Sequence, residues 1–404
     1  MSPTTAILRS LSHVARARFA DLRLPSAAKA ARRRDHAGIS RIDPGLADVE
    51  NAVLDWLAAA QDNSSTHDGG SSRHFSLVVG WGASYPETSG YIVPTLIDAG
   101  RRRDDRELLL RARRMLDWLV SIQFPDGGFQ GGTMGARPLV PVTFNTGQIL
   151  IGLAAGVREF GSDYESGMHR AASWLVDTMD PDGCWRRFPT PFAAPGEKVY
   201  ETHVAWGLAE AARTSDDRNK AEYYAAAALR NCRWALTKQL PNGWFEQCCL
   251  DYPNAPLTHT IGYVLRGLIE VYLYTHERDI LEASIRTAGA LAAAVGRDGF
   301  LAGRLDRNWG NVANWACLTG SAQIAHCLLL LSEETSDQAM RATAFDLLGY
   351  VRRTVRLDGP VGIRGGVQGS FPIDGEYGRY EYLNWAAKFL LDACHAERTL
   401  RATS

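Results

Sequence analysis

The chain has 404 residues, 46% of them hydrophobic, with 44 basic and 45 acidic side chains and a formal net charge of -1. That balance offers no global field for a nucleic acid, and no apolar run approaches the ~20 residues of a membrane span. Seven cysteines, an odd number without framework spacing, point to reduced thiols and a cytoplasmic protein, and they read as small buried apolar residues rather than metal ligands.

Residues 1–43 read as an N-terminal basic arm. Arg9, Arg16 and Arg18 are not followed by an apolar core and cleavage site, so no secretory signal is expected. Ile7–Leu22 can be written as an amphipathic helix, and the run Arg32, Arg33, Arg34 is ended at once by Asp35. Helical patterning begins at Pro44 and is expected to continue to residue 397, leaving 398–404 as a tail. Asp48–Ala60 carries Val49, Val53, Leu54, Trp56 and Leu57, the spacing of one buried helical face. A polar, Gly-rich loop follows, and then the more apolar Ile92–Ala99.

This couplet recurs five times. Amphipathic segments are predicted at Arg106–Gln123, Tyr164–Met179, Lys220–Gln239, Asp279–Val295 and Gln338–Val355. The more apolar partners start near Thr143, Tyr200, Thr258, Cys317 and Tyr382, with Thr143 and Thr258 as expected caps. An Asp-Gly or Asn-Gly pair punctuates each unit, at Asp68, Asp126, Asp182, Asn242, Asp298 and Asp358, giving intervals of 58, 56, 60, 56 and 60 residues. An aromatic stands eight residues before four of them: Trp118, Trp174, Trp234 and Tyr350. One Asp-Gly is an ordinary turn, but six at a near-constant period define an architecture. Twelve helices in six hairpins close best as an all-α (α/α)6 toroid over residues 44–397, with the apolar helices as the inner ring. Glycines inside those helices, such as Gly147, Gly152, Gly207 and Gly267, predict close helix–helix approach, since each costs ~1 kcal/mol against alanine.

Every loop after an Asp-Gly turn leads to the N-terminus of an inner helix, so six helix N-termini gather at one mouth. Their free N–H groups and partial positive charge suit hydroxyl-rich or anionic ligands. The polar residues expected there form the candidate site. Glu87, Glu201, His203, His259 and Tyr263 are the catalytic candidates. Tyr91, Asn145, Gln148, Tyr200, Gln323 and Asn384 are candidates for substrate binding, joined by Arg304, Asn308 and Trp309 from the loops. Arginine forks fit carboxylates, and aromatic faces stack on sugar rings, which is the composition of an acidic-glycan site. Each residue alone has a plainer role as a satisfied core polar group or a plug between repeats, and the cluster carries the inference.

The repeat architecture resembles the six-hairpin toroid superfamily of carbohydrate-active enzymes, which includes unsaturated glucuronyl hydrolases, glucuronyl C5-epimerases and toroidal polysaccharide lyases. The resemblance implies a saccharide substrate and two chemistries. Proton abstraction from a uronate, as in a lyase or C5-epimerase, would use His203 or His259 as base, Tyr91, Tyr200 or Tyr263 as acid, and Asn145 or an arginine to neutralise the carboxylate. Glycoside hydrolysis would need paired carboxylates, for which Glu87 and Glu201 are the acids at matching inner positions. The excess of His, Tyr, Asn and Arg over paired acids favours the first. Gln123-Phe-Pro-Asp-Gly-Gly-Phe129 and Asp180-Pro-Asp-Gly-Cys-Trp185 also resemble terpene cyclase and prenyltransferase repeats, but the polar mouth and the lack of an Asp-x-Asp-Asp motif count against them. A non-catalytic glycan-binding scaffold is the third class. No nucleotide loop or His-Glu-x-x-His helix is present, so no cofactor is expected and no metal is called for.

Overall fold

The computed structural model describes residues 23–403; the helix expected at Ile7–Leu22 lies outside them. A first helix, α1 (Ser26–His36), is followed by twelve that alternate between two concentric rings. The outer helices are α2 (Leu46–Asp62), α4 (Arg106–Ser121), α6 (Glu165–Thr178), α8 (Arg218–Leu236), α10 (Arg278–Ala294) and α12 (Gln338–Arg352). The inner ones are α3 (Pro86–Arg103), α5 (Thr143–Phe160), α7 (Thr202–Thr214), α9 (Thr258–Thr275), α11 (Leu318–Thr335) and α13 (Asn384–Thr403). Each inner helix packs on the next, and α13 packs on α3, so the ring is closed. This is the (α/α)6 toroid. No helix among the described residues is long and apolar enough to cross a membrane.

The two rings differ because their sequences do. Outer α4 buries one stripe, Leu108, Ala112, Met115 and Leu119, and turns its arginines outward. Inner α5 buries every residue from Thr143 to Gly156. Glycines let the inner helices touch. A Cβ on Gly152 would stand 2.2 Å from the Gly90 carbonyl oxygen, and one on Gly207 would stand 2.5 Å from that of Gly147. The same applies to Gly267 against Thr202, at 2.2 Å. The energetic cost of mid-helix glycine is thus offset by backbone-close packing around the ring.

The Asp-Gly turns dock each repeat on the next. In the second, Asp126 Oδ1 accepts from Gly128 N–H at 3.2 Å, and Gly127 has φ 103°, a left-handed conformation suited to glycine. A Cβ there would come within 2.4 Å of the Arg170 carbonyl on α6. Gly183, Gly243 and Gly299 abut the carbonyls of Arg230, Arg286 and Asp346 in the same way. Trp174 lies under its turn and donates to Asp126 at 3.2 Å. The sixth copy departs from the pattern. Gly359 has no helix backbone against it, whereas a Cβ on Gly365 (φ 78°) would meet the Ala52 carbonyl of α2 at 1.8 Å. The docking glycine of the last repeat is therefore Gly365, six residues beyond the expected turn, and it seals the ring against the first outer helix.

Four of the five short strands among the described residues bridge repeats. β1 (His74–Ser76) pairs antiparallel with β2 (Gly80–Trp81) and with β5 (Glu381–Leu383), Phe75 lying opposite both Trp81 and Tyr382. β3 (Ala316–Cys317) pairs with β4 (Ser370–Phe371). The β1–β5 pairing ties the first loop to the last, and Asn384 reinforces it by donating to Ser72 O and Thr88 Oγ1 at 2.9 Å and Ser71 Oγ at 3.2 Å. Asp35 of α1 accepts from Gln368 and from Ile373 N–H at 3.1 and 3.0 Å, which seats that helix on the last repeat. Helix α13 runs on to Thr403, past the boundary expected at residue 397. All seven cysteines are free and buried.

Candidate active site

In four of the six inner helices the second residue reaches the mouth of the ring. Glu87 of α3, Phe144 of α5, His259 of α9 and Trp385 of α13 all stand at that register, and all line one cavity of about 460 Å³ at the mouth. On α7 a 3-10 turn, Val199–Glu201, precedes the helix, and Tyr200 takes the equivalent place. Neither expected cap forms: Val142 and Leu257 are the N-cap residues, and Thr258 Oγ1 instead points to the Gly303 carbonyl. The first N–H groups of these helices are taken by neighbouring loops instead: Thr143 N–H donates to Phe188 O and Thr258 N–H to Gly303 O, each at 3.0 Å, so the free helix N–H groups expected at the mouth are largely consumed.

One wall is acidic. Tyr85 donates its hydroxyl to Glu87 Oε2 at 2.6 Å, which leaves Oε1 for the cavity. Burial raises the Glu87 carboxyl from 4.5 to about 7, against the lowering effects of Tyr85 and Arg73. Arg73 is the one cation of the wall among the described residues; it donates to Glu381 at 2.9 Å and lies 5.1 Å over the Trp385 ring. Trp385 in turn donates to the Tyr377 hydroxyl at 2.8 Å.

The rest of the lining is aromatic and carries a neutral imidazole. His259 Nδ1 lies 2.8 Å from Gln323 Oε1, a carbonyl oxygen that can only accept, so the proton sits on Nδ1 and Nε2 keeps its lone pair. Burial lowers His259 to about 4, so it is neutral at pH 7. Its ring lies 4.3 Å from that of Tyr263 and 5.3 Å from that of Tyr377. Burial, followed by the nearby Glu87, pushes Tyr263 well above the usual phenol range, so it stays a donor. The cavity thus presents an acid, a lone-pair nitrogen, phenol donors and stacking faces.

No family model matches the sequence, and no curated protein matches it by sequence. The likeness is in the fold. A heparin-specific unsaturated glucuronyl hydrolase superposes with a TM-score of 0.70 at 16% identity, covering 88% of this chain and 98% of its own. The unsaturated glucuronyl hydrolase of Bacillus sp. GL1 gives 0.66 at 15%, covering 85% and 96%. Cellobiose 2-epimerase of Bacillus thermoamylovorans gives 0.66 at 12%, covering 87% and 97%. This is the six-hairpin toroid fold.

Within that toroid the expected site residues divide into three groups. Glu87, Tyr200, His259 and Tyr263 line the mouth cavity. Beneath it lies a second layer. His203 Nδ1 is 2.5 Å from Gln148 Oε1, its ring is 4.6 Å from that of Tyr263, and its Nε2 has no partner. Tyr91 and Asn145 are also buried there; the Tyr91 hydroxyl is set toward that of Tyr263 and the Asn145 amide toward that of Tyr85, and neither has a partner within hydrogen-bond distance among the described residues. Buried polar groups without partners are rare in cores and mark places where a polar ligand or ordered water completes the set. Gln323 acts on the cavity through His259, and Asn384 fastens the ring closure.

The third group lies elsewhere. Glu201 belongs to the 3-10 turn rather than to α7, so it is not in the register of Glu87; it is buried outside the cavity wall, and burial pushes its carboxyl well up. Arg304 is spent on the loops, donating to Ala255 O at 2.8 Å and to Glu376 at 3.2 Å while lying 4.5 Å over Tyr252. Trp309 donates to Asn242 O at 3.0 Å and packs edge-on against Trp244, a plug between repeats, and Asn308 is exposed beside it. Arg73, Tyr85, Tyr377 and Trp385 were not expected. The helical register would have found Trp385, and Tyr85 is the residue that caps the helix of Glu87. Arg73 and Tyr377 sit in loops that only the β1–β5 pairing brings together. Among the described residues no group of three His, Cys, Asp or Glu is placed to hold a metal ion.

Proposed function

We propose that this chain is a carbohydrate-active enzyme that moves a proton on an acidic saccharide, in the manner of a lyase or C5-epimerase. His259 Nε2 acts as the base, and Glu87, about half protonated at pH 7, acts with Tyr263 as the acid. Arg73 receives the uronate carboxylate, and Trp385, Tyr377 and Tyr200 offer faces to the sugar. The observation that carries this reading is the pairing of a bare imidazole nitrogen with a single half-protonated carboxyl in one cavity. Hydrolysis by two carboxylates loses support, because Glu201 lies outside the wall and Glu87 is its only carboxylate among the described residues. The surface of the cavity is mainly apolar ring face, contrary to the polar mouth expected from the sequence, so the case against a polyprenyl substrate rests on Glu87, Arg73 and His259 and on the lack of an Asp-x-Asp-Asp motif.

A second reading rests on the same Glu87. A lone acid with a value of about 7 suits protonation of an unsaturated uronyl end, the substrate that the names of two structural neighbours carry. Incubation with uronate-containing oligosaccharides in heavy water, read by NMR and by ultraviolet absorbance, separates the two. Deuterium entering C5, or a double bond appearing, supports proton abstraction; loss of an existing double bond supports the second reading. No turnover of any acidic glycan overturns both.

A further inference from the structure

The ring axis carries a second cavity, of about 320 Å³, at the end opposite the mouth. The same inner helices build it: Glu87 of α3 faces the mouth and Asp98 faces this cavity, eleven residues and about 16 Å further along the helix. No residue lines both. Between them lies a layer of Tyr91, His203, Tyr263 and Phe389, with Phe389 5.4 Å from Tyr91 and 6.1 Å from Tyr263.

The floor of this cavity is polar and fully built. Lys388 is 1% exposed, donates to Asp392 at 2.5 Å, and has further N–H groups without acceptors among the described residues. Its Nζ lies 4.6 Å over Phe389, 5.4 Å over Tyr91 and 5.6 Å over Trp206. His326, 9% exposed, accepts at Nδ1 from Arg266 at 2.8 Å, because a guanidinium can only donate. Its proton is therefore on Nε2, which has no protein partner and borders the cavity. Thr95 donates to the other Asp392 oxygen at 2.7 Å. At the rim, Asp98 and Glu333 have no hydrogen-bond or ion-pair partner among the described residues.

Charge selects the ligand class. Among the described residues the lining holds three cations, Arg102, Arg266 and Lys388, and three carboxylates, Asp98, Glu333 and Asp392. A cation at the floor would meet Lys388 and Arg266, and an anion would meet Asp392 and the carbonyl ends of the inner helices. A hydroxyl both donates and accepts, so it satisfies either partner. The volume falls at the small end of ligand pockets, and Trp206 borders it with Arg266 4.6 Å over its ring. We propose that this cavity is a second binding site, taking a small neutral hydroxyl-rich molecule of the monosaccharide or cyclitol class.

Selective ¹⁵N-tryptophan labelling tests this, with Trp206 reporting the second cavity and Trp385 the mouth; Trp206→Phe and Trp385→Phe assign the two indole signals. The probes are D-glucose and myo-inositol, with methylammonium chloride and sodium sulfate as cation and anion. Saturable movement of the Trp206 signal with either hydroxylic probe is expected, the stronger of the two naming the subclass. Ala396→Phe, which fills the cavity, and Asp98→Leu, at its exposed rim, should each weaken that response about tenfold or more while leaving the Trp385 signal responsive. Three results overturn the proposal: no saturable Trp206 shift up to about 100 mM, far above a weak millimolar site; a shift that survives Ala396→Phe; or a stronger response to methylammonium or sulfate. Because the two indoles are read separately, failure here is distinct from failure of the mouth site.

Discussion

Replacing Glu87 with glutamine tests the electrostatics of the mouth directly. The folded-state value of about 7, against 4.5 for the exposed group, corresponds to about 3 kcal/mol between the two protonation states. The sign follows from proton counting. Between 4.5 and 7 the folded chain keeps a proton on Glu87 that the unfolded chain has released, so stability contributed at this site falls as pH rises through that window. Glutamine cannot ionise and is spared the loss. Glu87→Gln should therefore gain on the parent by about 3 kcal/mol between pH ~4.5 and pH ~8, whatever the constant offset between them. Urea unfolding of both chains across that range measures the difference, and a ¹³C titration of labelled Glu carboxyls, with the variant assigning the resonance, gives the value itself. A stability difference flat with pH, or a midpoint near 4.5, would refute the reasoning.

Three further outcomes are expected. His259→Ala should reduce turnover of an acidic glycan by about 10²–10⁴-fold with little change in fold, as read by kinetics and circular dichroism. Gln323→Leu, which removes the acceptor at Nδ1, should cost about tenfold in kcat and mix the two ring tautomers in long-range ¹H–¹⁵N spectra; a single unchanged tautomer would count against the positioning role. Gly152→Ala drives a methyl onto the Gly90 carbonyl and should lower stability by about 1–3 kcal/mol in urea, whereas the same change at exposed Gly38, with nothing nearby but φ 115°, isolates backbone strain from overpacking.

Most of the toroid was legible because it is written as periodicity. The inner helices begin at or within two residues of Thr143, Tyr200, Thr258, Cys317 and Tyr382, where apolar density changes. The turns were legible because a docking glycine against a neighbouring carbonyl tolerates no substitute. That logic failed once, at Asp358, since an Asp-Gly pair at the right interval does not by itself establish what packs on it; Gly365 carries the contact. The site was less legible for a related reason. Counting from the turns treats all loops as equal in length, and the 3-10 turn before α7 shifts Glu201 out of register while keeping it in count. Counting from the helix start places Glu87, Phe144, His259 and Trp385 together. Arg304 and Trp309 had the right chemistry for a glycan, but their partners, Glu376, Tyr252 and Asn242, are distant in sequence and consume it.

The proposed acid and base are set by opposing forces, and this bears on the substrate. Glu87 stands in the first turn of α3, where the helix field favours its anion by about 0.3–1 kcal/mol, and Tyr85 and Arg73 favour it too. Burial outweighs all three and leaves it about half protonated at pH 7. His259 is held at about 4 by the same dryness, too weakly basic on its own to match a proton removed at pH 7. A uronate carboxylate bound at Arg73 changes both groups in one direction. Its negative charge favours protonated imidazole, raising His259 toward the useful range, and disfavours ionised Glu87, keeping the acid loaded. A neutral sugar of the same size would supply the contacts without that field. On this reasoning the anionic group of the substrate is part of the proton-transfer apparatus, and esterifying it should depress kcat as well as affinity.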